Sequence, residues 1–196
     1  MQQLQIGPDQ RLPEVRRQRP ADGARRQLQV LFRRRERQEA VSLYYFLACS
    51  TWTQYMVVDS NYAVKLNDYD FPSAHGCILS CAFTTGYGAA WLEGRVRPGD
   101  TVAVYGTGSV GLSSVIAAKD LGAKKIIGID KNERKRQVAL SLGATDFINS
   151  EGLGTMTVSD KVMELTGGKG ADCCIEASGS DALMNEAVKS ALPVIL

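Results

Sequence analysis

Six consecutive residues, Gly106-Thr107-Gly108-Ser109-Val110-Gly111, are spaced to hold a phosphate. The G-x-G-x-x-G pattern is weak in isolation, and its setting gives it meaning. It directly follows the β-branched run Val102–Tyr105 and opens a helical pattern. An acid, Asp130, stands at the end of the next apolar run, 19 residues after Gly111. Strand, glycine turn, helix and acid together meet the conditions for a dinucleotide site. Gly106 permits the tight strand-to-helix turn. Gly108, with no side chain, lets a pyrophosphate approach the backbone, and Gly111 lets the helix pack closely on the sheet. The helix N-terminus offers free N–H groups and a partial positive charge to the anion. Asp130 would accept hydrogen bonds from both hydroxyls of an adenosine ribose and repel a 2′-phosphate, which favours NAD over NADP. Lys131 and Lys135 soften that exclusion. The plain alternative is a tight turn in a doubly wound sheet with no nucleotide.

Such a site needs a parallel sheet to hold it, and the surrounding pattern predicts one. Strands are expected at Thr101–Tyr105, Lys125–Ile129, Asp146–Asn149 and Asp172–Ile175. Helices are expected at Ser109–Leu121, Glu133–Leu142, Lys161–Thr166 and Asp181–Ser190. Strand and helix alternating through short loops means an α/β fold, a doubly wound parallel sheet with right-handed crossovers. Pro193-Val194-Ile195-Leu196 reads as the start of a further strand, so the sheet is expected to be incomplete. Upstream, Thr53–Val58 and Tyr62–Leu66 read as strands joined by the turn Asp59-Ser60-Asn61. Ala74–Leu92 reads as two short helices broken near Ala82–Thr84, and Arg97-Pro98-Gly99-Asp100 as a turn.

The 196 residues carry a formal charge of only +2. That figure hides two compositions. Residues 1–40 hold ten Arg, no Lys, eight Gln and five acids, a net +5, and the remaining residues carry a net −3. The first block reads as a disordered basic segment, with Leu28, Val30, Leu31 and Phe32 as its one apolar cluster. A tether to RNA or an acidic partner is the sharper reading. The block lacks the interleaved aromatics of a single-strand stacking platform, and the mildly acidic body argues against a nucleic-acid-binding protein. Five cysteines do not make a secreted disulfide scaffold. No signal core or membrane-length apolar run is present, so the chain is expected in the cytoplasm.

From Ser50 to about Ala191 the chain resembles the zinc-type alcohol dehydrogenases of the medium-chain dehydrogenase/reductase family, in their plant-like branch. The resemblance is carried by Ser80-Cys81-Ala82-Phe83-Thr84-Thr85-Gly86-Tyr87-Gly88-Ala89, by Gly106 to Gly111 and by Gly128-Ile129-Asp130. Gly143-Ala144-Thr145-Asp146-Phe147-Ile148-Asn149 and the Glu176 to Gly179 stretch agree. It implies a Rossmann domain over residues 94–196, a remnant of a GroES-like catalytic domain with a connecting helix over 41–93, and a segment of doubtful origin over 1–40. It implies NAD and zinc as cofactors of the intact family, an alcohol or aldehyde as substrate, and a homodimer built through later strands. By position, Cys81 matches the third catalytic-zinc ligand. Thr85 matches a residue beside the nicotinamide, and Val110 one packing on that side of the cofactor. Asp130 and Lys135 match the adenosine-ribose contacts. Ala82 departs from the glycine usual after that cysteine.

A catalytic zinc needs three protein ligands and an open position. The first cysteine and the histidine should lie upstream of Tyr44, yet residues 1–40 contain neither Cys nor His. His75, the only histidine, does not stand at a ligand position. Cys49-Ser50-Thr51 imitates a zinc cysteine followed by a proton-relay threonine, but its surroundings match a later strand. Cys173 and Cys174, adjacent in a strand, must face opposite ways and cannot chelate one ion together. Two readings follow. The chain carries most of the NAD-binding half of a zinc-type alcohol dehydrogenase and is itself catalytically defective. Alternatively it is a non-catalytic nucleotide-binding or interaction module, from a truncated isoform or a frame-shifted reading of its gene.

Overall fold

The computed structural model describes residues 60–66 and 72–192, together with three short strands nearer the N-terminus. The chain divides into two compact units, Met1–Tyr69 and Asp70–Leu196. In the first, β1 (Val15–Arg16), β2 (Gln29–Arg33) and β3 (Ala40–Tyr44) form an antiparallel sheet in that order. Val30 pairs with Leu43 and Phe32 with Val41. The apolar cluster at Val30–Phe32 has strong strand propensity, and Val41–Tyr44 supplies a matching run just beyond the boundary drawn at residue 40. The predicted strand Thr53–Val58 and the Cys49-Ser50-Thr51 motif lie outside the described residues. Tyr62–Leu66 is not a strand. A 3-10 turn occupies Ser60–Tyr62, with Ala63 N–H donating to the Ser60 carbonyl at 3.2 Å, and residues 63–66 are irregular and exposed. The turn chemistry of Ser60-Asn61 prevails there over β propensity.

The second unit opens with one helical run. It comprises α1 (Ser73–Ile78), a π-helical segment Leu79–Phe83, α2 (Thr84–Gly88) and a second π-helical segment Ala89–Glu93. The expected break near Ala82–Thr84 is absent. The run widens into π turns there, a device that changes helical register without ending the helix. Its three glycines, Gly76, Gly86 and Gly88, do not break it, and tertiary packing uses Gly86. A Cβ on Gly86 would overlap the Val110 carbonyl, and Ser114 Oγ donates to the Gly86 carbonyl at 2.8 Å. Residues 73–93 therefore pack with the sheet that follows. The division of the chain falls between residues 69 and 70.

The sheet consists of β4 (Thr101–Tyr105), β5 (Lys125–Asp130), β6 (Asp146–Asn149) and β7 (Cys173–Glu176), all parallel. Their spatial order is β6-β5-β4-β7. The chain steps outward from β4 to β6 and then returns to the other side of β4, so the strand order reverses between β4 and β7. In open α/β sheets ligands bind at the carboxyl ends of the strands flanking such a reversal. The crossovers are α3 (Ser109–Asp120), α4 (Arg136–Leu142) behind a 3-10 turn at Glu133–Lys135, α5 (Val158–Leu165) and α6 (Asp181–Ser190). Helix α5 begins three residues earlier than its hydrophobic pattern suggests. Thr157 and Asp160 form a capping box, each side chain accepting from the other's backbone N–H, and that fixes the start.

The sheet is buried on both faces, and side-chain alternation divides its core in two. Val102, Val104, Ile126 and Ile175 join Val115 and Ala118 of α3 and Ala139 of α4 on one face. Ala103, Tyr105, Ile127 and Ile129 join Val158 and Val162 of α5 and Ala187 of α6 on the other. Cys173 packs with the first cluster and Cys174 with the second, so the adjacent thiols face opposite ways, as strand geometry requires.

Candidate dinucleotide site

The carboxyl ends of β4, β5 and β7 come together around the turn Gly106–Gly111. Gly106 leaves β4 with φ +88°, a left-handed conformation that disfavours a side chain. It is also hemmed in, because a Cβ there would lie 2.7 Å from Ser178 N and 2.8 Å from the Ala177 carbonyl carbon. Backbone bonds lock the crossing, Gly106 N–H to the Ile129 carbonyl and Ala177 N–H to the Tyr105 carbonyl, both at 2.7 Å. The turn after β4 is thus clamped between the ends of its two neighbouring strands. Glu176 closes the β7 side, accepting from the N–H groups of Ser178 and Gly179.

The next two glycines serve opposite needs. A Cβ on Gly111 would overlap the Gly106 carbonyl oxygen, so α3 can lie on the turn only with glycine there. A Cβ on Gly108 would meet nothing within 4 Å. Gly108 is the N-cap of α3, and no side chain caps that end. The helix therefore presents its first N–H groups to open space, the arrangement that receives an anion.

Asp130 ends β5 and is 7% exposed. Its Oδ2 accepts from Thr107 N–H at 2.9 Å, Thr107 Oγ1 at 2.9 Å and Lys135 Nζ at 2.9 Å. Its Oδ1 accepts from Asn132 N–H at 3.0 Å. Burial works against ionisation, but the bonds from Asn132, Lys135 and Thr107 outweigh it and hold the carboxyl at about 2. Thr107 occupies an unspecified x position of the G-x-G-x-x-G pattern, so the motif gives it no role. Thr107 is one of two hydroxyl residues in the turn, and its partner lies 23 residues away. Open space at an uncapped helix end, beside an ionised carboxylate, fits the pyrophosphate and ribose of a dinucleotide.

The other expected site residues fall into place unevenly. Val110 lies in the first turn of α3 and is half-buried, against the α2 segment that carries the exposed Thr85. Gly86, the neighbour of Thr85, is the residue that packs on the Val110 backbone. Cys81 sits in the π-helical segment Leu79–Phe83 and is exposed, as is Cys77. His75 is exposed within α1. Among the described residues no three of His, Cys, Asp or Glu are grouped to hold a metal ion.

The family profile for zinc-binding dehydrogenases matches residues 109–193. The chain is 59% identical over 154 residues to the aliphatic (R)-hydroxynitrile lyase of Linum usitatissimum, covering 76% of this chain and 36% of that protein. It is 46% identical over 149 residues to alcohol dehydrogenase 1 of Tanacetum cinerariifolium, covering 76% of this chain and 39% of that one. The crystal structure of benzyl alcohol dehydrogenase from Acinetobacter calcoaceticus superposes with a TM-score of 0.57 at 33% identity, over 63% of this chain and 33% of the other. The chain spans well under half the length of each. No helix among the described residues is long and apolar enough to cross a membrane. A parallel sheet reversing at β4 and β7 and a glycine turn at that reversal agree with these likenesses, and the chain is similar over about three quarters of its length to the zinc-type alcohol dehydrogenases and their relatives.

Proposed function

We propose that the second unit binds NAD, with the pyrophosphate over Gly108 at the N-terminus of α3 and the adenosine ribose on Asp130. Lys135 holds the carboxylate from the far side, and Val110 and Thr85 line the nicotinamide end. The observation that carries this reading is the ionised, nearly buried Asp130 beside an uncapped helix end. Titration of nicotinamide fluorescence with NADH tests it. Binding by the unaltered chain and at least a tenfold loss in Asp130→Ala is the expected result, and equal affinity in the two removes the ribose role.

The reaction proposed for the whole protein is hydride transfer between an alcohol or aldehyde and NAD. The cofactor supplies the redox chemistry, and protein groups bind and orient it. This chain's own residues account for the cofactor half. Residues 1–40 supply neither Cys nor His, and by the family resemblance Cys81 alone matches a zinc ligand. On that ground the chain by itself is catalytically defective, a nucleotide-binding module. Purified chain with no alcohol-dependent NADH formation and well under one zinc per chain is expected. Stoichiometric zinc together with turnover overturns this.

A second reading has its own support. Identity to the flax protein named as a hydroxynitrile lyase is 59%, against 46% to the Tanacetum dehydrogenase. In that case the bound NAD is structural and the reaction cleaves an aliphatic (R)-hydroxynitrile. Cyanide release without any change in nicotinamide absorbance distinguishes it from dehydrogenation. The cytoplasm is the proposed compartment, supported by Cys77, Cys81, Cys173 and Cys174 all being free thiols.

A further inference from the structure

The hydrogen bonds around Asp130 are unevenly shared between its two oxygens. Oδ2 takes three donors, namely the backbone N–H and hydroxyl of Thr107 and the ammonium of Lys135. Among the described residues Oδ1 takes one, the Asn132 N–H. A carboxylate oxygen with three donors is filled, and one with a single donor keeps a lone-pair direction free. Thr107 is 1% exposed, and its methyl packs where a side chain on Gly128 would stand. Its hydroxyl therefore has little freedom to turn to water. Lys135 differs, being 39% exposed on a flexible stem. Thr107 is the rigid member of the set.

We infer that Thr107 is a positioning residue for cofactor recognition: its hydroxyl pins Oδ2 of Asp130 inward, so that Oδ1 alone is presented to the adenosine ribose and the carboxylate cannot swing aside for a 2′-phosphate. The inference rests on the NAD-binding reading above and adds a determinant of its specificity. Discrimination between NAD and NADP by an acid at a strand end requires that the acid stay charged and stay in place. Asn132 and Lys135 serve the first need. The buried hydroxyl serves the second, since a side chain held on both oxygens has no free rotation about its carboxyl bond.

The test uses pairs of variants of the full chain that differ in the hydroxyl. Thr107→Val keeps the branched shape of threonine and removes the donor. Thr107→Ala and Thr107→Ser both lose the methyl and differ only in the donor, which keeps the comparison open if Thr107→Val does not fold. Dissociation constants for NADH and NADPH are read by nicotinamide fluorescence. Removing a hydrogen bond to a charged acceptor is expected to raise the NADH constant about tenfold in Thr107→Val and in Thr107→Ala relative to Thr107→Ser. The preference for NADH over NADPH is expected to shrink at least threefold in the same variants and to survive in Thr107→Ser. Unchanged affinities and preference in Thr107→Ala relative to Thr107→Ser overturn the inference while leaving the NAD site standing. No NADH binding by the unaltered chain overturns the NAD reading and the inference together.

Discussion

Gly111 lies so close to Gly106 that a β-carbon on the first would overlap the carbonyl oxygen of the second, whereas one on Gly108 would meet nothing. The three glycines of one turn thus divide between folding and binding. Gly111→Ala forces α3 off the turn, and overpacking against backbone costs about 3 kcal/mol or more. Urea unfolding should show that loss. Gly108→Ala should unfold at nearly the wild-type midpoint and yet bind NADH at least tenfold more weakly, because its methyl enters the space proposed for the pyrophosphate. A Gly108→Ala protein that binds normally removes the pyrophosphate from that position.

Acid stability should depend on Asp130. Its carboxyl sits at about 2 in the folded chain against 3.8 for an ordinary aspartate. A lowered value means that the ionised form stabilises the fold. That contribution is fully present above about pH 4 and disappears as the pH falls toward 2. At about 1.4 kcal/mol per unit it amounts to about 2 kcal/mol. Asp130→Asn should be less stable by about this amount at pH 7 and equal to wild type near pH 2. Equilibrium unfolding followed by circular dichroism across that range checks both ends.

Glu186 of α6 ties two helices together. Its Oε2 accepts from Ser159 N–H at 2.9 Å and Ser159 Oγ at 2.7 Å in the first turn of α5, and its Oε1 accepts from Lys189 at 3.0 Å. Burial opposes its ionisation, but the Ser159 and Lys189 bonds win and hold it at about 2. Glu186→Gln should cost about 1–2 kcal/mol at pH 7. The cost should be fully present above the ordinary carboxyl value of 4.5 and fade as the pH falls toward 2. Hydrogen exchange should localise the weakening to residues 158–165.

The described cysteines should separate by reactivity. Cys77 and Cys81 are exposed on the 73–93 helical run. Cys173 and Cys174 lie within the sheet, where burial pushes both thiols up, Cys174 to about 12. The thiolate is the reacting form. Alkylation at pH 8, mapped by mass spectrometry, should modify Cys77 and Cys81 in minutes and leave Cys173 and Cys174 unmodified until denaturant is added.

The sequence alone determined the alternating strands and helices of residues 101–190, the glycine turn and the acid at the end of β5. Those features are local. β-branched runs, helix-stop glycines and a fixed motif spacing encode them within a few residues. Boundaries slipped where a side chain's partner decided them, as at α5, whose start follows the Thr157–Asp160 box. The break expected at Ala82–Thr84 failed for a tertiary reason. Gly86 reads as a breaker in one dimension and is a packing contact with Val110 in three. The antiparallel pairing of Gln29–Arg33 with Ala40–Tyr44 joins residues across the compositional boundary at residue 40. Only the tertiary structure decided how the carboxylate of Asp130 is held. Thr107 and Asp130 stand 23 residues apart, and no periodicity couples them. Parallel pairing of β4 with β5 brings their carboxyl ends together, and there a hydroxyl with no visible role in the sequence meets the one buried carboxylate of the site.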